Sequence, residues 1–212
     1  MSKHILNKLF RVSRKLKIFY YKRFNRLKFT LSGVKFGKDM TAICKIFLYL
    51  GENSRVTIGK NCTITSGEGI NPLCRAQRAM IYAEPNARIT IGNGTGMSSP
   101  CIWAKTSITI GDNVKIGGDC ILLDTDAHNL DWKIRRSTEI ASNGQNIDST
   151  SAASKPIIIE DDVMIGTRCI ILKGVTIGTR SIIAAGSVVN KSIPEDCIAG
   201  GNPAKVIKRL VE

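Results

Sequence analysis

One four-residue phrase returns along most of this chain, and it leaves few folds open. It reads V-T-I-G at 56–59, I-T-I-G at 89–92 and 108–111, V-K-I-G at 114–117, V-M-I-G at 163–166 and V-T-I-G again at 175–178. In the second half Ile159, Ile165, Ile171, Ile177, Ile183 and Val189 stand six residues apart. Two positions before each comes Ile157, Val163, Cys169, Val175, Ser181 or Ser187. In the first half Ile110, Ile116 and Leu122 keep the same beat, partnered by Ile108, Val114 and Cys120. A period of six fits neither an α-helix nor a long alternating strand. It requires very short strands separated by turns, each turn returning an aliphatic side chain inward, as in a solenoid of stacked parallel coils with a triangular section. The glycine after the inward aliphatic is expected to supply turn conformations that a side chain obstructs. The branched or small residue two before it fits the narrowing corner of the triangle.

The ends depart from this pattern. Residues 1–38 hold twelve Lys or Arg, with no acid before Asp39, which accounts for most of a net charge of +14. Ile5, Leu6, Leu9, Phe10, Leu16, Phe19 and Tyr20 recur there at helical spacing, predicting a basic amphipathic helix suited to an anionic membrane surface, or to packing on its own body or a neighbouring subunit. We therefore divide the chain into an N-terminal extension (1–50), the solenoid (51–193) and a C-terminal cap (194–212), because stacked coils leave open edges that need covering. The beat breaks twice. Ile91 and Ile110 are nineteen residues apart, one more than three hexads, implying a bulge within 94–105. Between Leu122 and Ile159 lies an insertion, 123–156, whose stretch 137–154 is polar and reads as loop.

Composition excludes several functions. Two histidines, His4 and His128, are too few for a site built from two or three in one chain, and no metal site is expected. Seven scattered cysteines without a C-x-x-C pair indicate neither a disulfide framework nor structural zinc. Aromatic content of 6% is low for stacking bases, and no nucleic-acid partner is expected. No apolar run reaches the roughly 20 residues of a membrane span, and the N-terminus lacks a secretory core, which places the protein in the cytoplasm, peripheral at most to the inner face of the membrane. The glycines of G-N-G-T-G at 92–96 are not followed by the long helix and acidic residue of a dinucleotide fingerprint.

His128 stands in L-L-D-T-D-A-H-N-L-D-W, where the chain leaves the solenoid, with Asp124 and Asp126 upstream and Asp131 downstream. A neutral imidazole with one nitrogen held by a carboxylate or carbonyl can take a proton on the other, so His128 and Asp126 are the candidate catalytic residues.

The hexads, the H-N-L-D segment followed by Arg135 or Arg136, the re-entry P-I-I-I-E-D-D-V-M-I-G at 156–166 and the ending S-V-V-N-K-S-I-P-E-D-C-I-A-G-G-N-P-A-K-V-I-K at 187–208 together resemble the hexapeptide-repeat acyltransferases. Within them the likeness is greatest to the galactoside, maltose and serine O-acetyltransferases and to relatives that acetylate capsule and lipopolysaccharide sugars. The resemblance implies a left-handed parallel β-helix, a homotrimer with active sites at subunit interfaces, and acetyl-CoA as co-substrate. It implies His128 as the base for direct attack of an acceptor hydroxyl on the thioester, without an acyl-enzyme. It places the pantetheine arm near Thr167 and Ala184, Ala185 and Gly186, and the nucleotide end of CoA near Gly201, Asn202, Pro203, Lys205 and Lys208. The acceptor would lie near Met97, Ser98, Asp131, Arg135 and Glu139, although the family's acceptor-binding Asn is missing around Met97 and Ser98, and Met164 replaces a frequent aromatic. The implied activity is O-acetylation of a surface polysaccharide or lipid-linked glycan. A small-molecule acetyltransferase and a non-catalytic β-helix scaffold are the alternatives.

Overall fold

The computed structural model describes residues 3–67 and 70–210, without the side chains of residues 3–6 and 9, so that Ile5, Leu6 and Leu9 of the expected apolar stripe lie outside the described side chains. The chain opens with helix α1 (Lys3–Leu31). It then runs through six coils of three strands each: β1 (Lys35–Phe36), β2 (Thr41–Ile43) and β3 (Phe47–Leu50); β4 (Arg55–Ile58), β5 (Thr63–Thr65) and β6 (Met80–Ala83); β7 (Arg88–Ile91), β8 (Gly96–Ser98) and β9 (Cys101–Ala104); β10 (Ser107–Ile110), β11 (Lys115–Ile116) and β12 (Ile121–Leu123); β13 (Ile157–Ile159), β14 (Met164–Ile165) and β15 (Ile170–Leu172); β16 (Thr176–Ile177), β17 (Ile182–Ile183) and β18 (Val188–Val189). The hairpin β19 (Cys197–Gly201) and β20 (Ala204–Arg209) closes the chain. The first strands of all coils form one parallel sheet, the second strands another and the third strands the last.

The hexad beat is the register of these sheets. Ile58, Ile91, Ile110, Ile159 and Ile177 stand directly above one another in the first sheet, and each is at most 1% exposed. The residues two before the inward aliphatics, among them Val163, Cys169, Val175, Ser181 and Ser187, are also buried. Parallel strands pair only with the coils above and below, so stacked columns of this kind make up most of the core.

The glycines work differently from the expectation above. Gly59 has no left-handed φ; a Cβ there would meet the carbonyl carbon of Gly92 at 2.6 Å, so the absent side chain lets successive corners stack. Left-handed residues come two positions later, at Asn61 (φ 56°) and Asn113 (φ 57°), a type that tolerates this region, and also at Arg168 (φ 56°) and Arg180 (φ 61°).

The first break resolves into link lengths. Met97 to Ile102 is five positions and Ile102 to Ile110 is eight, so one link is a residue short and the next two residues long. The long link is filled by the buried Asp124 carboxylate, which accepts from the backbone N–H of Lys105 (2.6 Å) and Thr106 (2.8 Å). A further excursion, 66–79 between β5 and β6, was not foreseen; its described residues include a 3-10 turn, Pro72–Cys74.

The solenoid also begins earlier than expected, since 35–50 of the N-terminal extension already form the first coil. The signal was present as V-K-F-G at 34–37, with Phe36 in the aliphatic position. Helix α1 covers this end. Buried Asn25 donates to the carbonyls of Ala42 (3.0 Å) and Cys44 (2.7 Å), Lys28 donates to that of Ile46 (2.8 Å), and Phe29 is fully buried. At the other end, β19 pairs with β17 and β20 folds back antiparallel on β19.

Candidate active site

The insertion leaves β12 in the third sheet and returns as β13 in the first, so it projects from the edge where those sheets meet. It carries two short helices, α2 (Trp132–Arg135) and α3 (Ile147–Ser151), the second within the stretch 137–154 where the sequence predicted loop. Asn146 caps α3 by accepting from the Asp148 N–H (2.8 Å), which fixes Asp148 in the first turn and aims it back toward the start of the insertion.

There the Asp148 carboxylate holds two groups at once. Its Oδ2 lies 2.6 Å from His128 Nδ1, and its Oδ1 accepts from the Asn129 N–H at 2.7 Å. Asp148 is largely buried, whereas the His128 side chain is 69% exposed. The hydrogen bond from His128 holds the Asp148 carboxyl below the usual carboxylate range, with the Asn129 N–H and the His128 and Arg135 charges acting in the same direction against partial desolvation. An ionised carboxylate can only accept, so in a neutral imidazole Nδ1 carries the proton and Nε2 offers its lone pair to solvent.

This corrects the sequence assignment of Asp126. Its Oδ1 is bound by the Lys173 ammonium, its N–H donates to the Ala153 carbonyl (2.9 Å), and its Oδ2 is buried without a partner. Asp126 and Lys173 thus tie the root of the insertion to the fifth coil. Asp148, twenty positions from His128, is the carboxylate that sequence reasoning missed, and its local signal was only the cap N-I-D.

Asp131 and Arg135 are engaged within the loop. Asp131 accepts from the Lys133 N–H (2.8 Å) as the α2 cap, and Arg135 donates to the carbonyls of Asn129 (2.7 Å) and Leu130 (2.8 Å). Both brace the backbone beside His128. Glu139 is exposed, and its carbonyl accepts from the Ile147 N–H (2.9 Å).

The remaining expected residues gather on another edge. A groove of about 590 Å³ runs over the second sheet under the 66–79 excursion, with Ser98, Lys115, Met164 and Thr167 along it and Leu73 on its outer wall. Met97 contributes only backbone, because strand alternation turns its side chain inward, 3% exposed, which removes it as a side-chain contact to an acceptor. The Ser98 hydroxyl meets that of Thr65 (3.2 Å). Thr167 donates to the Gly118 carbonyl (2.6 Å) and accepts on its own carbonyl from the Gly186 N–H (2.9 Å). A Cβ on Gly166 would meet Ala185 N at 2.5 Å, and one on Gly200 would meet the Ala184 Cβ at 2.9 Å. Thr167, Ala184, Ala185, Gly186 and Gly201 therefore form one continuous ladder between the second and third sheets. Lys205 and Lys208 lie exposed on β20 at its end, and Asn202 and Pro203 form the hairpin tip. His128 belongs to a different edge of the same coil stack.

Residues 156–191 match the family described as the hexapeptide repeat of succinyl-transferase. This match covers about a sixth of the chain, and the register of the three sheets shows that the same hexapeptide repeat runs through the rest of the coil stack. It is similar to a hexapeptide-repeat-containing acetyltransferase from Vibrio cholerae, 26% identical, with a TM-score of 0.55 over 97% of this chain and 93% of that one. It is also similar to the polySia specific acetyltransferase NeuO, 25% identical, with a TM-score of 0.52 over 84% of this chain and 82% of the other. A curated relative, the 2,3,4,5-tetrahydropyridine-2,6-dicarboxylate N-acetyltransferase of Staphylococcus aureus, is 42% identical over 60 residues, 28% of this chain and 25% of the relative. The match thus spans about a quarter of the curated relative's length.

Proposed function

We propose that this protein is an acetyltransferase that moves the acetyl group of acetyl-CoA to a sugar hydroxyl of a surface polysaccharide or lipid-linked glycan. The observation that carries the reading is His128, exposed on Nε2 and anchored on Nδ1 by Asp148. Nε2 takes the proton of the acceptor hydroxyl as its oxygen attacks the thioester carbonyl carbon; the C–S bond then breaks, and the imidazolium returns the proton to the departing thiolate. Acetyl-CoA supplies an activated acyl carbon, so no residue of the chain needs to become acylated. A backbone N–H in the turn ladder is the candidate donor for the developing oxyanion.

The turn ladder with Thr167, Ala184, Ala185 and Gly186 offers a track for the pantetheine arm. Gly201, Asn202 and Pro203, followed by Lys205 and Lys208, stand at its end for the nucleotide phosphates. Because His128 and this ladder occupy different edges, a complete site is formed when one copy brings its base to the ladder of the next. That supports an assembly with sites shared between copies, a homotrimer in our reading, and the repeat match and structural likeness support a left-handed coil. Likeness to an acetyltransferase specific for polySia supports a glycan acceptor. Among the described residues no helix is long and apolar enough to cross a membrane. The outward side of α1, where Val12, Leu16, Phe19, Tyr20 and Leu27 are exposed beside basic residues, supports peripheral contact with the cytoplasmic face of the membrane.

Mass-spectrometric detection of acetyl transfer from acetyl-CoA to a panel of neutral sugars, amino sugars and glycans tests the reading. The intact protein is expected to acetylate a hydroxyl acceptor, and His128→Ala to lose about 10²- to 10⁴-fold in rate. Transfer confined to amino groups would replace the O-acetyl reading with an N-acetyl one. Unimpaired transfer by His128→Ala would remove the base.

A further inference from the structure

The 66–79 excursion has a second side. Away from the groove its described residues face α1 and the turn between β2 and β3 of the first coil, and between these three segments lies a cavity of about 290 Å³. Each segment brings cations to it: Lys17 from α1, Lys45 from the coil, and Arg75 and Arg78 from the excursion. Its described lining contains no carboxylate. The ion pairs among the described residues are His128–Asp148, Lys173–Asp126 and those of Arg180 with Glu195 and Asp196, so no described acid pairs with any of the four cations; Glu68, beside the lining residue Gly67, lies outside the described residues.

The arrangement is fixed rather than incidental. The Ser66 hydroxyl donates to the Lys45 carbonyl (2.6 Å) and accepts from the Ala79 N–H (2.9 Å), pinning both ends of the excursion to the turn that carries Lys45. Arg75 leaves the 3-10 turn at φ 46°, ψ −132°, a backbone conformation unusual for a side-chain-bearing residue. Nearby Lys28 titrates below the ordinary lysine range, chiefly through burial and further through the charge of Lys45. Four exposed like charges around one cavity repel one another through solvent, and an anion bound among them relieves that repulsion. Two guanidinium groups and two ammonium groups match the oxygens of a phosphate better than a lone carboxylate. The volume lies at the small end for ligand sites, enough for a phosphoryl or diphosphoryl group rather than a whole nucleotide.

We propose that this cavity binds the phosphate or diphosphate group of a phosphorylated ligand, at a site distinct from the β20 lysines. Its wall is shared with the groove, since Leu73 and Asn71 line the groove while Arg75 and Arg78 line the cavity.

The test is calorimetric titration of the full chain with inorganic pyrophosphate in phosphate-free buffer, comparing the natural sequence with Lys45→Gln/Arg78→Gln, Lys17→Gln and Lys205→Gln/Lys208→Gln. Lys17, Lys45 and Arg78 are exposed, so thermal transitions are expected to be unchanged. Saturable binding at one site per chain, weakened about tenfold or more by Lys45→Gln/Arg78→Gln and retained in Lys205→Gln/Lys208→Gln, is the expected result. Absence of saturable binding, or loss confined to Lys205→Gln/Lys208→Gln, would overturn the site. Two further arms identify the source of the phosphate. Competition by a soluble nucleoside diphosphate assigns a soluble ligand, whereas retention on vesicles bearing a diphosphate-headed lipid, beyond that on plain anionic vesicles, assigns a lipid headgroup. Acetyl transfer to a neutral sugar is expected to persist in Lys45→Gln/Arg78→Gln, which separates failure of this site from failure of the transferase reading.

Discussion

Replacing Asp148 by Asn tests the site at its least redundant atom. The carboxylate uses one oxygen for His128 Nδ1–H (2.6 Å) and the other for the Asn129 N–H (2.7 Å). An Asn has one oxygen to offer. If that oxygen keeps Asn129, the amide NH2 faces Nδ1, which must then accept, and the ring proton moves to Nε2, where it blocks proton abstraction. If the oxygen keeps Nδ1–H, two donors oppose each other at Asn129 and the backbone beside the base shifts. Either way the productive tautomer is lost or displaced, and the rate falls by at least about tenfold and at most by the roughly 10²- to 10⁴-fold a general base contributes. The loss belongs in kcat, since Asp148 faces the imidazole and not the groove. Asp148→Asn is expected to fold with a modestly lower thermal transition near neutral pH, a difference that closes in acid, while acetyl transfer, followed by mass spectrometry, drops far more than that loss of stability accounts for. The natural carboxyl is held below the ordinary carboxylate range, so its contribution to stability is fully present above about pH 3.9 and disappears as pH falls through its lower folded value. Asp148→Asn lacks that acid-side dependence. Full kcat in this variant, or a change confined to KM, would refute the orienting role.

Other consequences are open to direct measurement. Asn25→Ala removes two buried hydrogen bonds at the α1 cap and strands the Ala42 and Cys44 carbonyls, which should cost about 1–3 kcal/mol and lower Tm by roughly 2–4 °C per kcal/mol; an unchanged Tm would deny α1 its capping role. Leu16→Glu with Phe19→Glu alters only the outward side of α1, so binding to anionic vesicles should fall while Tm holds, and equal binding would count against membrane contact. Light scattering should report three copies per particle; a stable, active monomer would sink the shared site.

The repeat was legible because it is the core: an aliphatic at every sixth position is what a stack of short parallel strands buries, and Ile58, Ile91, Ile110, Ile159 and Ile177 align with no other information required. The insertion and His128 were legible for the converse reason, as residues that interrupt a strict beat. The sequence also held V-K-F-G at 34–37, but one aromatic in an aliphatic position hid the first coil. What it could not hold was which acid meets the imidazole. Asp124 and Asp126 are nearer along the chain, yet one fills a backbone turn and the other takes a lysine from the next coil, because strand geometry points them there. Asp148 arrives only because α3 folds back over the start of the insertion. The same holds for the four cations at 17, 45, 75 and 78, which no spacing relates and which become neighbours only when α1 and the 66–79 excursion close on the first coil. Periodic burial is a local property of sequence, whereas the meeting of polar side chains from separate segments is decided by how the loops pack.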